Sequence, residues 1–243
     1  MINNNLAQAQ QPATIKTLLN NESIKKRFSE LLGKKASGFI SSLMQVAQNN
    51  KALATADPNS ILAAAVTAAS LDLPINQNLG FAWIVPFKGN AQFQMGWKGY
   101  VQLALRSGQY QKINVIEVYK DQFTAFNRMT EELTADFSKP NSGGVVGYVA
   151  YFKTVNGFEK TSFWSKDEVM IHAKKYSQSF KKGFGVWADG ESGFDAMAKK
   201  TVLKNTLSKW GIMSIELQTA HLADQAVVKD EGVFQYPDNT IDI

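Results

Sequence analysis

Residues 194–211, FDAMAKKTVLKNTLSKWG, hold Lys199, Lys200, Lys204 and Lys209, and after Asp195 no acid follows until Glu216. At roughly 100° per residue, Ala196, Val202, Leu203, Thr206, Leu207 and Trp210 share one arc of a helix, and Lys200, Thr201, Lys204, Asn205, Ser208 and Lys209 share the other. The spacing predicts an amphipathic helix capped by Asp195 and stopped at Gly211. Ammonium groups on one wet face bind anions; no cysteine, histidine or carboxylate pair in the stretch points to bond-making chemistry. Lys199 breaks the pattern by projecting into the apolar arc. Either its stem packs while its ammonium snorkels to water, or it is the cationic floor of a cleft that receives an anion. On the second reading, losing Lys199 weakens anion binding more than losing Lys204.

Other cations fall into sets. Lys98, Gln102 and Arg106 recur at i, i+4 and i+8 in residues 96–108, GWKGYVQLALRSG, as a polar stripe beside an apolar one of Trp97, Tyr100, Val101 and Ala104. Trp97 and Tyr100 are read as core in preference to stacking platforms. Lys181 and Lys182 lie among Phe180, Phe184 and Trp187 in the glycine-rich residues 176–193. Basic and aromatic residues interleaved on a loop suit a single strand of nucleic acid; the plainer alternative is a lid packing its rings on the core. Lys112, at the start of an alternating segment, adds a further cation.

Catalytic arrangements are scarce. His172 and His221 are the two histidines, and neither sits in a metal-ligand or nucleophile-elbow pattern. Lys34 and Lys35 follow Gly33, but the upstream glycine of a phosphate-cradling loop is replaced by Phe28. That argues against a nucleotide-driven motor. Asp189, Glu191 and Asp195 leave a Mg²⁺-dependent nuclease as an alternative.

With 243 residues and 44% hydrophobic content, the chain supports one sizeable core. The absence of cysteine fits a reducing cytosol. The polar start, MINNNLAQAQQPAT, does not read as a signal peptide, and no apolar run is long enough for a membrane span. The net charge of +5 is unevenly spread: residues 215–243 carry six acids against Lys229 alone, so the remainder is strongly basic. A basic body suggests a polyanion. Only Arg27, Arg106 and Arg128 are arginines among 26 basic residues, a balance that favours backbone phosphate over base-edge readout.

The elements that must position these residues follow from periodicity. Residues 1–13 read as disordered. Residues 14–72 read as a helical lobe, with Asp57 and Pro58 opening its last helix. Residues 81–87 and 91–95 form a hairpin turning at Lys88, Gly89 and Asn90. Residues 112–120, 145–155 and 158–164 read as three strands, the last two joined at Asn156 and Gly157, with a loop over 127–143. Ser165 and Glu168 form a capping box that opens a helix. The whole is α+β: a helical N-terminal lobe, a β-hairpin, and a three-stranded antiparallel sheet with packed helices. Residues 14–223 are expected as one domain, followed by a disordered acidic tail, 224–243, dispensable for the chain's central activity.

Four stretches, residues 71–87, 93–110, 163–177 and 194–211, together resemble the RecT/Redβ family of phage recombinases, in consistent order over about residues 15–222. The resemblance implies single-stranded DNA binding and ATP-independent annealing of complementary strands in phage homologous recombination, with no cofactor and no catalytic residue. It implies rings or helical filaments on DNA, annealed duplex as the product held, and work in the bacterial cytoplasm. The implied partners are a phage 5′→3′ exonuclease and the host single-strand-binding protein. Beside this reading, Lys98, Arg106, Lys199, Lys200 and Lys204 are the main candidates for DNA contact; Gln102 shares their stripe, and Lys112, Lys181 and Lys182 stand behind them. The rivals are a passive single-strand coat and the Mg²⁺ nuclease.

Overall fold

A computed structural model describes residues 14–228 and 234–236; the expectations for residues 1–13 and for the rest of the acidic tail lie outside them. The chain opens with helices α1 (Ile15–Asn20), α2 (Glu22–Leu32), α3 (Ala36–Asn49), α4 (Lys51–Ala54) and α5 (Pro58–Ser70). Thr14, Asn21, Asn50 and Asp57 each accept a backbone N–H at a helix start, so local polar residues set these boundaries. Phe28, Leu43, Leu53 and Ile61 close the lobe's interior, and Ala64, Ala65 and Ala68 let α5 pack closely on the hairpin that follows.

That hairpin is β1 (Ala82–Phe87) and β2 (Asn90–Met95), in the register Ala82 to Met95 through Phe87 to Asn90. Helix α6 (Trp97–Arg106) leaves it directly. A Cβ at Gly99 would collide with the Phe81 carbonyl oxygen, and one at Gly96 with the Gly80 carbonyl oxygen, so both glycines serve backbone approach.

The second layer is the antiparallel sheet β3 (Tyr110–Tyr119), β6 (Val145–Thr154) and β7 (Glu159–Ser165), in the order β3-β6-β7. Its inner face presents Val115, Tyr148, Ala150 and Phe152 to the core. Across that face runs α9 (Gly190–Trp210), with α7 (Lys166–Tyr176) beside it. The Ser165–Glu168 capping box is present as the sequence predicts.

Three expectations are corrected. Residues 127–143 are not all loop: β4 (Phe123–Asn127) and β5 (Glu132–Ala135) make a second hairpin, whose Phe123 and Phe126 pack on Phe163. Asp195 does not cap α9, which begins at Gly190; its carboxylate accepts the Tyr148 hydroxyl at 2.5 Å. The early start is possible because Gly193 lies against the Val186 carbonyl of a single 3₁₀ turn, Val186–Ala188, where a side chain would clash. A short helix α8 (Gln178–Lys181) precedes that turn, and Phe180, Trp187 and Phe194 pack ring to ring, so these aromatics belong to the core.

The third correction concerns the chain after α10 (Ile215–Ala223). Composition assigns Asp224 to a tail, yet Asp224 is 2% exposed. Its carboxylate accepts from Lys200 Nζ at 2.8 Å, Lys204 Nζ at 2.8 Å, the Met95 amide at 2.9 Å and the Tyr100 hydroxyl at 3.3 Å. Gln225 adds a bond from its amide to the Phe93 carbonyl, and β8 (Val227–Val228) pairs with β9 (Phe234–Gln235). Burial alone would raise the Asp224 carboxyl, but the two ammoniums outweigh burial and hold it far below the carboxylate range.

Asp224→Ala should therefore cost about 3–5 kcal/mol, because it leaves the buried Lys200 without its counter-charge. The readout is the midpoint of urea unfolding, and truncation after Ala223 should be at least as damaging. A truncated chain with an unchanged midpoint would refute this role. A carboxyl held low when folded stabilises above the unfolded value, about 3.9, and that contribution fades as pH falls towards the folded value.

Candidate nucleic-acid interface

Helix α9 meets two electrical environments. On one side Lys199 Nζ lies 2.5 Å from Glu117 Oε1 of β3 and 5.1 Å from the centre of the Trp97 ring. Lys98 Nζ, on the exposed flank of α6, lies 5.9 Å from the same ring. Lys199 is thus neither a snorkelling cation nor an open cleft floor; its charge is matched by an acid. Trp97 is half-buried beside two ammoniums, and Tyr100 is fully buried.

On the other side lies a cleft of about 480 Å³ between α7, α9 and α10. From α9 it receives Lys200, Lys204 and Lys209, from α7 His172 and Tyr176, from β7 Trp164, and from α10 His221. Lys200 is buried, contrary to its position on the polar arc, because its ammonium meets Asp224 instead of water. Lys204 shares Asp224 but keeps a quarter of its side chain exposed, and Lys209 is exposed.

Rings line the opposite wall. His172 stands edge-on to Trp164 at 5.3 Å and tilted against Tyr176 at 4.6 Å, while Lys175 Nζ lies 5.1 Å from the Tyr176 ring. Burial lowers the His172 pKa, and Lys175, Lys209 and Lys204 lower it further. Three ammoniums on two helices therefore raise the positive potential at one imidazole. His221 is lowered by burial and by Lys204, and its Nδ1 is buried without a partner. The cleft combines net positive charge with aromatic faces, which fits an anion carrying flat rings.

The remaining candidates stand apart. Arg106 donates through Nη2 to the Leu71 carbonyl at 2.6 Å and lies 3.7 Å from Asp72, which Lys35 also engages at 2.6 Å; it ties α6 to the end of α5. Gln102 and Arg106 border a groove of about 420 Å³ floored by Leu32, Phe39 and Leu73. Lys112 is exposed on the outer sheet face, opposite Lys153. Lys181 and Lys182 are exposed on and just after α8, which follows the cleft wall at Ser177. The structure thus brings Lys200 and Lys204 together and does not join them to Lys98, Gln102, Arg106 or Lys112.

Sequence reasoning missed His172, Lys175, Tyr176 and Lys209 as a set. The available signal was the i, i+3, i+4 spacing of the first three on a helix whose start was already legible. Among the described residues, no group of three histidine or acidic side chains is placed to hold a metal ion, and Asp195 is engaged by the Tyr148 hydroxyl. Nor is any described helix long and apolar enough to cross a membrane.

The RecT family model matches residues 37–240. The uncharacterized protein YqaK of Bacillus subtilis strain 168 is 50% identical over 216 residues, covering 89% of this chain and 74% of that protein. Protein RecT of Escherichia coli strain K12 is 26% identical over 183 residues, covering 72% of this chain and 65% of that protein.

The electrostatics of the cleft can be checked without any ligand. Lys209→Ala should raise the His172 pKa towards its ordinary value near 6.5, since it removes one of the cations that disfavour imidazolium. Lys112→Ala should leave it unmoved. Imidazole proton shifts followed against pH report both; equal values in all three proteins would show that the ammoniums do not converge.

Proposed function

We propose that this chain, which belongs to the RecT family, binds single-stranded DNA in the cleft between α7 and α9 and anneals complementary strands there without nucleotide hydrolysis. The observation that carries this reading is that Lys204 and Lys209 share one cleft with a wall of Trp164, His172 and Tyr176, with Lys175 beside the Tyr176 ring. Ammoniums hold phosphates as point charges and release counterions, while rings accept any base by its face. Neither device selects sequence, as an annealing protein requires.

On this reading Lys175, Lys204 and Lys209 contact phosphate, with Lys181 and Lys182 extending the track beyond Ser177. Lys200 acts through Asp224 by holding Lys204. Lys98 and Lys112 stand apart from this track. Neighbouring protomers would extend the track into a ring or filament, the annealed duplex being held more tightly than the separate strands. A recombination exonuclease that exposes a strand, and a host single-strand-binding protein that coats it, are the partners this activity would meet in a phage-infected cell. The absence of a phosphate-cradling glycine loop supports independence from ATP.

Binding of a labelled mixed-sequence oligonucleotide, followed by anisotropy across a salt series, tests the assignment. Replacing Lys204 and Lys209 together by alanine should reduce the slope of log affinity against log salt by about 0.7 per lysine. Lys199→Ala should bind within about two-fold of wild type, since its charge is already spent on Glu117. Complementary labelled strands should pair at the same rate with and without ATP. An unchanged salt slope would move the DNA path off the cleft, and binding without pairing would make the protein a passive coat.

A further inference from the structure

Within the cleft, one group is neither a fixed charge nor a plain stacking face. His172 projects from α7 between Trp164 of β7 and Tyr176 of its own helix. The charges that oppose its protonation are Lys175 from α7, and Lys209 and Lys204 from α9. Lys200 lines the same cleft but is paired with Asp224, and His221 of α10 stands on its margin.

We propose that His172 is a proton-linked contact residue: a strand entering the cleft is bound together with a proton taken up on the His172 imidazole. The proposal rests on the reading that the cleft holds DNA. In the free protein the imidazolium is opposed by burial and by three ammoniums. A phosphodiester placed among those ammoniums reverses the sign of that opposition. Its negative charge offsets the lysines, and its oxygens accept from a protonated ring nitrogen. The flanking aromatic rings add attraction for a cation. No covalent step is involved; the proton comes from solvent and returns when the strand leaves. A histidine that sits in no metal-ligand or nucleophile pattern is then the residue that makes affinity depend on pH.

The sign follows from linkage. Binding that raises a pKa is strengthened as pH falls through the interval between the bound and free values, by up to about ten-fold per pH unit for one proton. The free value lies below the ordinary 6.5 of histidine, so the effect belongs to mildly acidic and neutral pH, where the phosphodiester charge is constant.

The test uses the untagged full chain and an oligothymidylate, whose bases do not titrate in this range. Imidazole shifts give the His172 pKa free and strand-saturated, and calorimetry in buffers of unlike ionisation enthalpy counts protons taken up. The expected results are a rise of the His172 pKa on binding and an affinity that climbs as pH is lowered from 8 to 5.5, as linkage requires. His172→Gln should flatten that climb. An unmoved His172 pKa in the saturated wild type, or the same pH slope in His172→Gln, would overturn the proposal. If Lys204→Ala with Lys209→Ala leaves affinity and salt slope intact, the cleft reading itself has failed. If those lysines matter and His172 does not titrate, only the proton linkage has failed.

Discussion

One carboxylate holds the two halves of this molecule together. Asp224 gathers Lys200 and Lys204 from α9, the Met95 amide from β2 and the Tyr100 hydroxyl from α6. Burying a carboxylate is costly, and burying an ammonium beside it is no cheaper alone. Here the costs offset because each charge meets its opposite and the remaining lone pairs are filled by neutral donors. The hairpin, the central helices and the C-terminal segment thereby become one cooperative unit. Withdrawing α9 or the C-terminal segment would leave an unpaired charge in an apolar interior, and withdrawing the hairpin or α6 would leave the carboxylate short of a neutral donor. The same arrangement aims Lys204 into the cleft, so the group that stabilises the fold also fixes a cation of the candidate interface.

Helix α9 shows how neighbouring lysines can do unlike work. Lys199 and Lys200 are consecutive, so the helix turns them by roughly 100°. The first meets Glu117 and the Trp97 ring; the second meets Asp224. Both charges are satisfied within the chain. Lys204 is half committed, and Lys209 faces water. Positive charge available to a ligand thus increases along the helix towards its C-terminal end, where the helix dipole also favours cations. The count of lysines in residues 194–211 overstates the charge that a polyanion meets.

Most of the frame was legible because it is written locally. The Asp57–Pro58 start, the Ser165–Glu168 capping box and the alternation of β3, β6 and β7 each depend on residues within a few positions of one another. Other features were not legible because their causes are distant or weak. The β4–β5 hairpin has a register shift after Phe123 and a turn that places Glu131 at positive φ, so neither regular alternation nor turn chemistry marks it. Lys200 reads as solvent-facing on any wheel, since polar residues default to water. Only an acid 24 positions later, beyond a further helix, reverses that default. The cleft suffers the same difficulty. Its lysines come from α9 and its rings from α7 and β7, and no periodicity within either segment announces that they meet.

The distribution of charge also bears on what kind of grip the cleft can exert. A site built from bidentate arginines would hold phosphates in a fixed geometry; this one offers lysines that act as point charges, one of them already shared with Asp224. Each phosphate contact is then individually modest and tolerant of position. On the proposed reading, affinity for a long strand comes from repeating weak contacts, not from any tight one. In the proposed annealing role tolerance is an advantage, because a strand locked at every phosphate cannot slide to test its register before pairing. The neutral imidazole between two rings belongs to the same logic. It adds a contact that forms only when negative charge is present, so the empty cleft does not bear the full repulsion of one more fixed cation.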